Sequence, residues 1–126
     1  MDHHIYRRDG SKYPPGEEGL ISWARDFEEV NRRVNWTKLW WGGYVSTVWL
    51  GLDHNYTRQG PPLFFETMVF SRAGSERDQM RYSTENEAMD GHKIAVSLWS
   101  NPFYVGKEMF KSWLDDIRWR IRSLWK

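Results

Sequence analysis

Between Tyr44 and Ser71 the chain reads as two arms dominated by β-branched and aromatic residues, joined by a polar stretch that ends in Gly-Pro-Pro. Such residues favour strands and the prolines interrupt a ladder, so the pattern predicts a central hairpin. In the first arm, alternation places Ser46, Val48, Leu50, Leu52 and His54 on one face and Val45, Thr47, Trp49, Gly51 and Asp53 on the other. The first set carries more aliphatic residues and is the expected core face. The second arm is apolar on both sides, with Leu63, Phe65 and Val69 opposite Phe64, Met68 and Phe70. A strand of that kind is covered twice, by helices on both faces or by a helix layer and a second subunit, which makes a homo-oligomer an expected state.

The flanking segments add helices. Pro14-Pro15-Gly16 breaks the chain, and Leu20, Trp23, Ala24, Phe27 and Val30 then recur at helical spacing, predicting a helix from Glu17 to Val30. Asp9-Gly10 signals a small hairpin over residues 3–13, Asn35 to Trp41 reads as a strand, and Gly42-Gly43 turns it into the central hairpin. A short strand follows at Asp78 to Tyr82. Thr84 and Glu87 have capping-box spacing, which starts a helix from Glu85 to about Trp99. Pro102 can open a last helix, whose stripe is Phe110, Trp113, Leu114, Ile117, Ile121, Leu124 and Trp125. The expected fold is α+β: an antiparallel β-meander around the central hairpin, one helix before it and two at the C-terminus, in a single domain over residues 1–126.

Composition changes this picture in three respects. Nine Trp, six Tyr and six Phe among 126 residues demand a place for aromatic mass, in the core or on a partner surface. The absence of Cys excludes disulfides, thiolate metal sites and a cysteine nucleophile. Eighteen basic against seventeen acidic residues leave a net charge of +1, too balanced for general nucleic-acid binding. No run approaches the roughly 20 apolar residues of a membrane span and the N-terminus does not resemble a secretion signal, so the expectation is a cytoplasmic protein with no membrane partner.

Candidate chemistry is sparse. Pairing of the two arms brings Asp53, His54 and Glu66 near one another, and His92 lies on an apolar helix stripe. Imidazoles and carboxylates together can hold a divalent metal, so a metal-dependent hydrolase using His54, Glu66 and His92 is one expectation. Metal-ligand spacings such as His-x-x-x-His are missing, and the plainer expectation is a strand-end His54 and a hydrogen-bonded, semi-buried His92, with no metal, no cofactor and no catalytic residue. Ser83 and Thr84 precede a helix, which makes them caps before nucleophiles. No glycine pattern cradles a phosphate. Arg58, Arg81 and Tyr82, with Arg72 and Arg77, cluster near the hairpin ends and offer guanidinium groups and a ring to a phosphate or a base.

The segments Val45 to His54, Pro62 to Phe70, Arg81 to Thr84 and Gly91-His92 together resemble a widespread family of small bacteriophage-encoded proteins, over roughly residues 17–93. The resemblance implies a phage or prophage gene expressed in the host cytoplasm, and it implies no reaction. Its polar positions here are Asp53, His54, Glu66, Thr67, Arg81, Tyr82, Ser83 and His92. A sheet followed by two helices is also similar in outline to the Thoeris-inhibiting sponges that trap cyclic ADP-ribose-like nucleotides between subunits. The resulting expectation is a non-enzymatic binding protein that counters host defence by sequestering a nucleotide signal, with Arg58, Arg81, Tyr82, Asp53, His54, Glu66 and His92 as ligand contacts. A host defence protein as partner, or a role as a virion or protein-interaction component, stands beside it.

Overall fold

Glycines and prolines set the boundaries of the elements in the computed structural model, which describes residues 5–29, 32–57 and 59–125. Pro14-Pro15-Gly16 precedes α1 (Glu17–Glu29), whose first turn carries Glu17 and Glu18 where the helix dipole favours negative charge. Four strands follow: β1 (Arg33–Lys38), β2 (Tyr44–Trp49), β3 (Phe65–Phe70) and β4 (Glu76–Tyr82). They pair antiparallel in the order β1-β2-β3-β4, a meander. Then come α2 (Glu85–Ser100) and α3 (Pro102–Leu124). The protein therefore has an α+β fold. Its contacts divide it into two compact units, Met1–Val96 and Ser97–Lys126.

Gly42 adopts φ 96° in the β1–β2 turn, and a side chain on Gly43 would collide with the Trp41 ring and the Phe70 carbonyl. Both glycines are thus required, one for its dihedral and one for space. Before α1, Arg7 N–H donates to Ser11 O at 2.8 Å and Gly10 N–H to Arg7 O at 2.9 Å. This closes the small hairpin, and Tyr6 bridges Lys12 across it. The Asp9 carboxylate accepts from the Ser11 amide and hydroxyl, which lowers its pKa. The expected hairpin thus forms within the described residues; His3 and His4 lie outside them, as does Val30.

The core face of β2 is the reverse of the expected one. Val45, Thr47 and Trp49 are buried, whereas Ser46, Val48 and Leu50 are half-buried and Leu52 is exposed. Trp49 outweighs the smaller aliphatics on the other side, and Thr47 is tolerated inside because its hydroxyl is fully engaged. Trp49 also donates its indole N–H to Tyr6 O at 3.0 Å. Around it gather Ile5, Tyr13, Phe64, Phe65 and Ala88, with Trp23 and Phe27 of α1 packed against them. Fully burying each of these large side chains contributes about 1.5–3 kcal/mol. Tyr13 fastens α1 to the hairpin by donating to Asp26 Oδ2 at 2.6 Å.

β2 stops five residues short of His54. Gly51 takes φ 78°, and a side chain there would strike Trp23, so the strand breaks where the indole crosses it. In β3 the expectation of two covered faces holds only in part: Phe65, Thr67 and Val69 are buried and so is Glu66, but Met68 and Phe70 are half-exposed. Thr84 Oγ1 accepts from the Glu87 amide at 3.1 Å and donates to Glu87 Oε1 at 3.0 Å, starting α2. Asn101 caps α3 by accepting from the Phe103 and Tyr104 amides, with Pro102 as the first helical residue. Within the second unit, Trp99 meets Tyr104 edge-on at 5.1 Å and Val105 is buried. No helix among the described residues is long and apolar enough to cross a membrane.

Candidate functional site

Strand alternation separates the sequence-predicted residues into three places. Thr47 pairs with Thr67 and their hydroxyls are 2.6 Å apart on the covered face. His92 enters that face from α2, with Nδ1 2.7 Å from Thr47 Oγ1 and Nε2 2.8 Å from Thr37 Oγ1. Tyr82 pairs with Phe65 on the same face and is hydrogen-bonded to Thr67. Three threonines from three strands, a tyrosine from the fourth and one imidazole thus form a continuous polar network, buried at Thr47, Thr67 and His92 and half-buried at Thr37 and Tyr82. Gly91 makes it possible, because any side chain there would occupy the position of the Tyr82 ring. Burial holds the His92 imidazole below its ordinary pKa, so it is neutral at pH 7, donating from one nitrogen and accepting at the other. Desolvation also raises the Tyr82 hydroxyl.

Glu66 and Arg81 form a second group, on the opposite face. They are direct cross-strand partners, and Arg81 Nε donates to Glu66 Oε2 at 3.1 Å while Gln79 Nε2 donates to the same oxygen at 2.6 Å. Two donors satisfy a carboxylate that is 8% exposed. On this face an aromatic row crosses three strands: Trp36 stacks on Tyr44 at 5.7 Å and Tyr44 on Phe70 at 5.0 Å, with the Arg33 guanidinium over Trp36 at 5.8 Å.

Asp53 and His54 belong to a third place, the β2–β3 loop. Asp53 Oδ1 accepts from the amides of Asn55 and Leu63, and Asn55 Nδ2 donates to the carbonyls of Gln59 and Pro61, which folds the loop into a fixed shape. His54 Nδ1 donates to Leu52 O at 2.8 Å, with its ring 5.9 Å from Tyr56. Arg58 lies outside the described residues.

These placements correct the sequence reading twice. His54, Glu66 and His92 cannot share a metal, because Glu66 and His92 occupy opposite faces of the sheet; no group of three His, Asp or Glu side chains able to hold a metal occurs among the described residues. Arg81 and Tyr82 likewise cannot grip one ligand, since neighbours in a strand point apart, and the Tyr82 hydroxyl is committed to the interior.

What the structure does build is a cleft between the N-terminal hairpin and the β2–β3 loop. It has a volume of about 740 Å³ and is lined by Tyr6, Lys12, Asp53, Asn55, Tyr56, Gly60 and Pro62. The Tyr6 ring is braced from behind by Phe64, stacked at 5.0 Å, and the Lys12 ammonium lies 5.7 Å from its centroid. Tyr56 is 76% exposed at the rim. The cleft thus offers flat apolar rings, one cation and one carboxylate within the size range of small-molecule sites. Of the predicted residues that are described, only Asp53 lines it. Tyr6, Lys12 and Tyr56 were missed: a two-residue turn at Asp9-Gly10 would set residue 6 opposite 13, whereas the loop takes three residues and sets Tyr6 opposite Lys12.

No protein-family model matches the chain, and no curated protein or solved structure is significantly similar to it.

Proposed function

We propose that the protein is a non-enzymatic binding protein whose cleft takes a nucleotide-like ligand. The observation that carries this is the cleft's lining. A base lies against Tyr6 and Tyr56, an anionic group meets Lys12, and sugar hydroxyls or an exocyclic amine donate to Asp53. The resemblance to small phage-encoded proteins supports an infected bacterial cell as the setting, and the separate likeness in outline to nucleotide-trapping sponges supports a nucleotide signal of host defence as the ligand. Calorimetry against mononucleotides, cyclic dinucleotides and ADP-ribose derivatives tests the reading. Binding is expected for at least one, weakened about tenfold or more by Lys12→Ala or Tyr56→Ala; no heat from any of them with folded protein refutes it.

A second reading rests on the other face of the sheet. Trp36, 41% exposed, and half-buried Tyr44, Met68 and Phe70 form an aromatic-rich surface that favours contact with protein, a second copy included. Light scattering reads it directly: a dimer that Trp36→Ala dissociates supports self-association.

A further inference from the structure

Helix α3 leaves much of its apolar stripe exposed, with Leu114 and Ile117 half-buried within it. Phe110, Trp113, Ile121 and Leu124 are 58%, 56%, 51% and 83% exposed, and Val105 is the helix's one buried residue among those described. At 3.6 residues per turn these side chains, with Leu114 and Ile117, occupy an arc of about 100° along a helix roughly 35 Å long. Phe110, Leu114, Ile117, Ile121 and Leu124 recur at 4-3-4-3 spacing, with Trp113 beside them, so the stripe by itself would suit a partner helix as well as a flat surface, and the charges decide between the two.

The charges are arranged around that arc. Lys107, Lys111 and Arg118 border one edge and Arg120 the other, while the carboxylates Glu108 and Asp115 lie on the far side. From Ile117 to Leu124 there are three arginines and no acid. An antiparallel pair of these helices would set the edge of Lys107, Lys111 and Arg118 against its own copy, and a parallel pair would offer it Arg120 and a single carboxylate, Asp116. A second copy is therefore a poor complement. A negatively charged plane is a good one: cations at both edges reach phosphates while their stems cover apolar surface, and Trp and Phe sit at the headgroup boundary.

We propose that α3 is an interfacial helix that lies in the surface of an anionic lipid bilayer, its Phe110–Leu124 arc entering the headgroup region. The expectation of no membrane partner rested on the lack of a spanning segment, and an interfacial helix needs none. This inference stands apart from the cleft and does not depend on it.

The test is cosedimentation of the full chain with vesicles of phosphatidylcholine alone or mixed with phosphatidylglycerol. Binding is expected to the anionic vesicles and to fall with added salt. Each basic side chain at such a surface raises partitioning about fivefold, so the Arg118→Ala/Arg120→Ala pair lowers it roughly 25-fold. Ile121→Glu with Leu124→Glu abolishes it, and because both positions are exposed, the melting temperature stays unchanged. Equal sedimentation with neutral and anionic vesicles, or none with either, overturns the proposal. So does a lipid-free dimer that Ile121→Glu/Leu124→Glu dissociates, which would give the face to a second copy.

Discussion

Replacing Thr47 by Val keeps the side chain's shape and removes one oxygen, which makes it the sharpest probe of the polar network under the sheet. That oxygen is 2.7 Å from His92 Nδ1 and 2.6 Å from Thr67 Oγ1, in a residue with no exposure. Thr67 keeps its bond to Tyr82, so the main casualty is the imidazole nitrogen, left in an apolar setting without a partner. Each buried polar group stripped of its partner costs about 1–3 kcal/mol, and the two affected groups together give about 2–4 kcal/mol. Against a total stability of about 5–15 kcal/mol this is a large fraction. Urea unfolding followed by circular dichroism reads it as a midpoint lowered by about 1–2 M at unchanged slope. The double variant Thr47→Val/His92→Leu removes both ends of the bond and is expected to lose less than the sum of the single losses, by about 1 kcal/mol or more. A loss below about 0.5 kcal/mol for Thr47→Val, or strict additivity, would refute the claim that the Thr47 hydroxyl holds this network together.

Three further outcomes follow from the same geometry. His92 has a folded pKa below its ordinary 6.5, so the unfolded chain takes up the proton first; the stability present above pH 6.5 is lost as pH falls, and melting temperatures between pH 7 and 5 should drop more for the native chain than for His92→Gln. Gly91→Ala gains up to about 1 kcal/mol of helix propensity but drives a methyl group into the Tyr82 ring, for a net loss of about 1–2 kcal/mol in thermal unfolding; a more stable variant would mean the ring moves freely aside. Tyr13→Phe gives up the bond to Asp26, about 1–2 kcal/mol. Since burial and Asp26 raise the Tyr13 pKa above 10, its contribution is present below pH 10 and lost above it, and alkaline melts of Tyr13→Phe should be flatter.

The helices were legible because each announces its start chemically. Thr84 with Glu87 and Asn101 before Pro102 are local signals, and local signals do not depend on where the chain goes next. The meander was legible for a similar reason, through Gly42-Gly43 and the polar loop after His54. The inward face of β2 was not. Counting aliphatic residues favoured Ser46 to Leu52, while the decision belonged to Trp49 and to the Thr47 hydroxyl, whose partner His92 lies 45 residues beyond it. Site residues failed for a related reason: Arg81 and Tyr82 are adjacent in sequence, and adjacency in a strand is separation in space. The lining of the cleft depends on a loop meeting an N-terminal hairpin more than 40 residues earlier, and no periodicity encodes that meeting.

The row of Thr37, Thr47 and Thr67 has a consequence for how the sheet finds its alignment. Antiparallel strands of similar aliphatic content can slide by two residues and still bury apolar faces, so hydrophobicity discriminates weakly between registers. A hydroxyl that must meet a fixed partner does not tolerate sliding: displaced by two positions, β1 or β2 presents a different side chain to His92, and β3 a different one to the Thr47 hydroxyl, which strands a buried polar atom. The network acts as a vernier, selecting one setting of the strands from several that would pack. Replacing all of its members with aliphatics of matching size would preserve the volume of the core and release that setting, giving a sheet of comparable stability with more than one alignment.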